Sequence, residues 1–229
     1  MSSQDIQQKI KKFNNVVQLI LYSIIHSDVY DSIQHLNNPS DSDIYIILNY
    51  IFNNTNSDII NSHITNINNS CTTIDTIHTF IVKLIKTLFT NNNYFFLNYD
   101  GTTFSQQTDN SIVKVNNYYY MSNIHSTIHY KLIIIKVTTN TLSNIPINIV
   151  FITDTISIIY TLSRVLIIDS SDFNKSLLCI VHNNNIYIIK NPITDHTFIT
   201  EHTPITPVIS INEWLRSVNN HNNYYIFYT

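Results

Sequence analysis

The spacing of apolar residues in this 229-residue chain changes near residues 91–93, and this change limits the possible folds more than any other pattern in the sequence. Before this point apolar residues recur every three or four positions, which is the period of an amphipathic helix. After it they fall in short stretches rich in β-branched and aromatic types, which are typical of strands. The pattern predicts a single α+β domain in which a helical part, residues 1–90, packs on a mainly antiparallel sheet in residues 91–229.

Five helices are predicted in the first part, and the last of them has the clearest amphipathic pattern. Its apolar face is formed by Ile74, Ile77, Ile81, Leu84, Ile85 and Leu88. Thr72 followed three residues later by Asp75 has the pattern of a capping box, so this helix is predicted to begin at Thr72 or one residue earlier. Cys71 then lies at the helix N-terminus, where the positive field and the free N–H groups favour a thiolate.

The other four helices are predicted from apolar spacing and from capping residues. They cover residues 5–25, a segment from Ser27 or Asp28 to about residue 37, a segment after Ser40 and Asp41, and a segment from Asp58 to about residue 66. The second of them ends before Pro39, because proline lacks the N–H that a continuing helix needs.

The second part is predicted to contain strands and one late helix. A hairpin joins residues 94–99 to 102–106 through the turn Asp100–Gly101, which places the one glycine of the chain where a positive φ is needed. Residues 156–162 fit a strand or a helical turn, and Ser210 with Glu213 forms a capping box for the late helix. The other predicted strands are 112–115, 117–121, 128–137, 147–152, 164–168, 176–181, 186–190 and 224–228.

Charge is scarce in this chain. Charged residues make up 12% of it and its net charge is −3, whereas about 25% of residues are charged in typical proteins. A surface of Asn, Ser, Thr and Tyr repels its copies weakly, which favours self-association; compositional drift in an A/T-rich, viral genome explains the same surface without selection for assembly. Tyrosines at 118–120 and 224–228 should alternate between the faces of strands, so about half are predicted to be exposed and available for protein–protein contact.

Several classes of protein are not expected. No basic run is longer than residues 9–12, so nucleic-acid binding has little charge to work with. A chain with a single glycine has no glycine-rich phosphate loop, which excludes P-loop and Rossmann nucleotide enzymes. The apolar run 16–25 is too short to span a bilayer and lacks a cleavage site, so neither a membrane segment nor a signal peptide is expected. Two cysteines far apart predict a reduced, intracellular compartment, the host cytoplasm if the protein is viral.

Metal and cofactor sites are not predicted either. Acidic residues and histidines gather in one irregular segment, but their spacing matches no closed metal site; they are Asp195, His196, Glu201 and His202. His63 and His125 each begin the pattern H-x-T of two-histidine phosphoesterases, but His63 falls on a predicted helix and not on the strand that such a site needs.

One set of residues has the order and settings of a nucleophilic site. Cys71 lies at a helix N-terminus, His129 at the start of a strand and Asp169 at the end of another. In such a site the helix lowers the thiol pKa, the imidazole takes the proton and the carboxylate orients the ring. His125 is an equally available base, and an ordinary half-buried cysteine, a strand-edge histidine and a turn aspartate explain the same residues.

This arrangement resembles papain-like cysteine peptidases and deubiquitinases, and the segment NNSCTTIDTI resembles the cysteine box of ubiquitin-specific proteases. The resemblance implies a side-chain amide just before the cysteine in the oxyanion hole, a role for Asn69 or Asn68. Two hypotheses follow from the sequence. The first is a non-enzymatic structural or interaction protein that self-associates or binds a protein partner. The second is a papain-like cysteine hydrolase, active or degenerate.

Overall fold

The computed structural model describes residues 3–25, 42–52, 57–89, 94–99, 104–106, 111–115, 118–122, 130–137, 147–152, 157–182, 185–190 and 222–229. Within these ranges every α-helix precedes every strand, a short 3₁₀ helix (Phe173–Lys175) lies between two strands, and the strands form a mixed, mostly antiparallel sheet. The predicted α+β class is confirmed. The predicted helix after Ser27 or Asp28 and the predicted late helix at Ser210 lie outside the described residues.

The described helices are α1 (Ser3–Ile10), α2 (Asn15–Ile24), α3 (Ser42–Phe52), α4 (Ser57–Ser70) and α5 (Ile74–Leu88). The single helix predicted over residues 5–25 is wrong, because the chain breaks at Asn14. The Asn14 side chain accepts a hydrogen bond from the Val17 N–H at 3.1 Å, and the Asn14 N–H donates to Asn68 Oδ1 at 3.1 Å. Apolar spacing continues through this break because α1 and α2 bury their apolar residues in the same cluster.

The described strands are β1 (Tyr94–Tyr99), β2 (Phe104–Gln106), β3 (Ser111–Val115), β4 (Tyr118–Ser122), β5 (Leu132–Val137), β6 (Asn148–Ile152), β7 (Ser157–Asp169), β8 (Leu177–His182), β9 (Asn185–Lys190) and β10 (Asn222–Tyr228). They are ordered β2-β1-β5-β10-β7-β6-β4-β3; in addition β8 pairs with β7, and β9 pairs with β8. The pairs β1–β5 and β4–β6 are parallel, and the other described pairings are antiparallel. The predicted hairpins β1–β2 and β8–β9 are confirmed.

One strand is longer than the sequence indicated. Residues 156–162 and 164–168 were separate predictions, but β7 runs unbroken through both. It can do so because it has partners along its length: β6 pairs with Ser157–Thr161, β8 with Arg164–Ile167, and β10 from Leu162 onward. The sheet also curls, since β2 and β3, at opposite ends of the strand order, approach each other.

The helices cover one face of the sheet, and a second apolar cluster fills the other. The strand residues that face the helices include Phe96, Ile134, Leu166, Leu178, Tyr225 and Phe227. The opposite cluster includes Leu97, Ile135, Ile149, Tyr160, Val165, Tyr224 and Tyr228. Both faces of β10 are therefore buried, and the prediction that about half of the tyrosines in 224–228 are exposed is wrong for this strand. The side chains of Tyr118–Tyr120 lie outside the described residues.

Arg164 is a charged residue buried in this core. It lies on β7 opposite Phe227 of β10, with its guanidinium carbon 5.9 Å from the Phe227 ring centroid. A cation placed over an aromatic face in this way is attracted by the ring quadrupole.

No described helix is both long and apolar enough to cross a membrane.

Candidate functional site

Helix α5 begins slightly later than predicted, so Cys71 does not lie at its N-terminus. Thr73 is the N-cap, and Thr76 is its partner in the capping box, so the predicted box of Thr72 and Asp75 is wrong. Thr76 Oγ1 accepts the Thr73 N–H at 3.0 Å, and the Thr76 N–H donates to Thr73 Oγ1 at 3.2 Å. Cys71 instead follows the end of α4, where its N–H bonds to the Ile67 carbonyl at 3.1 Å.

The thiol of Cys71 lies in a setting that opposes ionisation. The residue is 3% exposed and belongs to the apolar cluster between the helices and the sheet. Burial raises the pKa of the Cys71 thiol to about 11, although a contact with Ser70 Oγ at 3.9 Å acts in the opposite direction. A thiolate nucleophile needs the reverse shift. The expectation that a helix N-terminus activates this thiol therefore does not fit its surroundings.

The other residues of the predicted cysteine site have local roles or lie elsewhere. Asp169, at the end of β7, accepts hydrogen bonds through Oδ1 from the Ser171 N–H at 2.8 Å, the Ser171 hydroxyl at 2.6 Å and the Asp172 N–H at 3.2 Å. This carboxylate closes a turn. Asn69 is exposed on α4. The two bases considered, His129 and His125, lie outside the described residues.

The alternative oxyanion-hole residue is also engaged. The Asn68 side chain accepts the Asn14 N–H, and the Asn14 side-chain amide donates to the Asn68 carbonyl at 3.4 Å. These bonds join the end of α4 to the start of α2. In the described part of the chain, the side-chain hydrogen bonds of Cys71 and Asp169 are all with residues within three positions in sequence.

A different group of ionisable side chains meets where α5 crosses the sheet. His78, half-buried on α5, has its Nδ1 3.2 Å from the hydroxyl oxygen of Tyr225, which is fully buried on β10. The two ring centroids are 6.1 Å apart, and the Phe96 ring of β1 lies 5.7 Å from the imidazole. The imidazole is thus held between two aromatic rings and a hydroxyl.

Two opposite charges flank this imidazole. Lys136 of β5 is the cross-strand neighbour of Tyr225, and it is half-buried. Asp75 lies one turn before His78 on α5 and is exposed. Burial lowers the pKa of His78 to about 4, the charge of Lys136 adds to that shift, and Asp75 opposes it. Burial likewise lowers the pKa of Lys136 and raises that of Tyr225, so the imidazole and the phenol are both neutral near pH 7.

Sequence reasoning missed this group for a simple reason. His78 follows Ile77 in a helix whose apolar stripe was recognised, and Tyr225 lies in a strand that was predicted. The two residues are 147 positions apart. Only the packing of α5 on the sheet and the register of β10 with β5 bring His78, Tyr225 and Lys136 together.

An uncharged, partly apolar surface lies on the outer side of β6 and the first half of β7. We call it the outer β6–β7 surface, and it consists of Asn148, Val150, Ser157, Ile159 and Thr161. The alternate residues Ile149 and Tyr160 point into the core, so strand alternation turns the set outward. Ile159 is 66% exposed, and Ile147, just before β6, is 52% exposed.

The described ranges hold no group of three or more histidine, cysteine or acidic residues placed to bind a metal ion. Comparison of the chain with protein-family models, with curated proteins and with solved structures gives no match.

Proposed function

We propose that this chain is a non-enzymatic structural or protein-interaction protein that associates with itself or with a protein partner. The observation that carries the proposal is the exposure of Ile159 on the outer β6–β7 surface. Large apolar side chains with this exposure gain free energy when a partner covers them, on the order of 1–2 kcal/mol for one isoleucine.

The composition of the surface also favours association. Val150 is the cross-strand partner of Ile159, and Asn148 is that of Thr161. The Thr161 hydroxyl donates to Asn148 Oδ1 at 3.1 Å, so part of the polar character of the surface is satisfied internally. None of the five residues of the surface is charged. A partner can therefore cover it without removing an ion from water, which is the largest desolvation penalty in most interfaces.

A reduced, intracellular setting and an A/T-rich, viral origin belong to the same proposal. Cys71 and Cys179 are both free and buried, which suits a compartment where thiols stay reduced. Ile, Asn and Tyr, whose codons are rich in A and T, are abundant and alanine is absent, which supports an A/T-rich genome.

The alternative, a papain-like cysteine hydrolase, requires Cys71 as its nucleophile. The burial of Cys71, its raised pKa and the structural bonds of Asp169 count against it. No contact in the described ranges favours this alternative over an ordinary buried cysteine. It would regain support if Cys71 reacted with a peptide or ubiquitin-type electrophile faster than an unfolded thiol does.

The test is to place a charge on the outer β6–β7 surface. We expect the wild-type mass in light scattering to rise above the 26.6 kDa of one chain as concentration increases. Ile159→Lys should weaken association about tenfold or more, because it replaces buried apolar area with an ion. Asn61→Lys, at an exposed position on α4, adds the same charge elsewhere and should behave as wild type.

Thermal denaturation of both variants verifies that they remain folded. A wild-type protein that is monomeric at every concentration, with partner capture unchanged by Ile159→Lys, would refute the proposal.

A further inference from the structure

The attachment of α5 to the sheet includes a side chain whose charge can change under mild conditions. Most of the α5 contact is apolar and comes from Ile77, Phe80, Ile81 and Leu84. His78 adds a polar bond to Tyr225 in the first half of the helix. Cys71 lies two residues before the Thr73 cap of the same helix and is buried.

Each element that packs around His78 in the described part of the chain places a side chain beside the imidazole. Its own helix contributes Asp75, β5 contributes Lys136, and β10 contributes the Tyr225 hydroxyl; β1 contributes the Phe96 ring, which does not titrate. A protonated imidazole would place a second positive charge beside Lys136 in a half-buried position. Asp75 is exposed to water and compensates only in part, because solvent screens its charge.

Protonation also changes the hydrogen bond itself. Nδ1 of a neutral imidazole can accept the Tyr225 hydroxyl proton, whereas both nitrogens of a charged imidazole are donors. The Tyr225 hydroxyl would then have to reorient inside a fully buried position. Charge repulsion, desolvation and the altered hydrogen bond all act in the same direction.

We propose that His78 is an acid-sensitive latch, in which protonation of the imidazole releases the first half of α5 from β5 and β10 and uncovers Cys71. At neutral pH the latch is closed and the boundary between the helices and the sheet is sealed. On acidification the start of α5 separates from Tyr225 and Lys136, and the apolar surface under it becomes accessible.

The size of the pH effect on opening follows from the pKa of the His78 imidazole in the closed state and in the released state. In the closed state the pKa of His78 is about 4, against 6.5 for a free imidazole. The released state therefore binds more protons, and acid favours it. At pH 5, roughly 1.5 units below the free value, opening should be favoured about 30-fold relative to pH 7.5. The effect should level off near pH 4, where the closed state also accepts the proton.

Cys71 provides the readout, and Cys179 an internal control. The full chain is treated with 4,4′-dithiodipyridine between pH 7.5 and pH 5, and each cysteine is followed by peptide mass spectrometry. Each rate is divided by the rate of the urea-unfolded chain at the same pH. We expect the normalised rate of Cys71 to rise about 30-fold, while that of Cys179, buried in the cluster on the other face of the sheet, stays low. A parallel rise at both cysteines would indicate global unfolding and overturn the proposal.

Three variants separate the latch from a general effect of acid. His78→Gln keeps a polar, uncharged side chain and should abolish the pH dependence. His63→Gln removes another helix histidine, the one bonded to Asp43 at 2.6 Å, and should leave the rise at Cys71 unchanged. Tyr225→Phe keeps the ring, and loss of its hydroxyl should raise the Cys71 rate at pH 7.5 by about fivefold.

If His78→Gln does not fold, Tyr225→Phe still decides between the outcomes. The latch is refuted by a Cys71 rate that does not change between pH 7.5 and pH 5, by an undiminished rise in His78→Gln, or by a Tyr225→Phe rate equal to wild type at pH 7.5.

Discussion

The rate at which Cys71 reacts with an electrophile at alkaline pH distinguishes the two functional hypotheses. The expected rate follows from the burial of the thiol in the structure. Burial raises the pKa of this thiol from 9.0 to about 11, with a smaller opposing effect from Ser70. Each unit reduces the thiolate fraction at a fixed pH tenfold, so a shift of two units leaves about 1% of the ordinary thiolate. The thiolate is the species that attacks electrophiles. A catalytic cysteine would show the opposite shift and an enhanced rate.

The assay is alkylation by iodoacetamide at pH 8, with Cys71 and Cys179 resolved by mass spectrometry. In the folded chain we expect Cys71 to react at no more than about 1% of its rate in urea, because its thiolate is scarce and its sulfur is covered. Cys179 should react more slowly still, since burial raises its pKa to about 12. In the unfolded chain the two cysteines should react at similar rates.

A Cys71 rate equal to or above that of the unfolded chain would refute this reasoning. It would show that the thiol is ionised and accessible, and it would favour the cysteine hydrolase over the interaction protein. The variant Cys71→Ala gives a second comparison, because a buried structural cysteine should be replaceable without loss of partner binding.

Two further predictions concern side chains with structural bonds. Asn14→Ala removes the N-cap of α2 and should lower the free energy of unfolding in urea by about 1–2 kcal/mol. Asn68→Ala removes the acceptor of the Asn14 N–H and should lower it by about 1 kcal/mol. A decrease of less than a few tenths of a kcal/mol in both variants would contradict these roles. Burial alone would raise the pKa of Asp169, but hydrogen bonds from Ser171 and Asp172 hold it below 3.8. The stabilisation of the fold by ionised Asp169 is therefore present above pH 3.8, and it is lost as the pH falls through the pKa of Asp169 in the folded state. The Tm of Asp169→Asn should lie below that of wild type at pH 7, and the gap should narrow below pH 3.8; a gap independent of pH would refute it.

Local patterns were sufficient for the elements that bury one face along their length. The apolar stripe of α5, the hairpins β1–β2 and β8–β9 and the α+β class all follow from periodicity, because burial on one side imposes a repeat that can be recognised in the sequence. The capping pattern of α5 does not identify the first residue of the helix uniquely. The segment TTIDT offers two overlapping boxes, and the observed one begins at Thr73 and not at Thr72. That single step places Cys71 at the end of α4.

Contacts between distant segments follow only from the packing of the folded chain. The break at Asn14 depends partly on Asn68, 54 residues later, and the length of β7 depends on three partner strands. His78 meets Tyr225 across 147 residues of chain. Apolar periodicity in the sequence is sufficient for the α+β class, the two hairpins and the buried face of α5, but not for the break at Asn14, the length of β7 or the burial of both faces of β10. It did not determine where charged and polar groups meet, because desolvation and hydrogen bonding depend on neighbours that only packing and strand register supply.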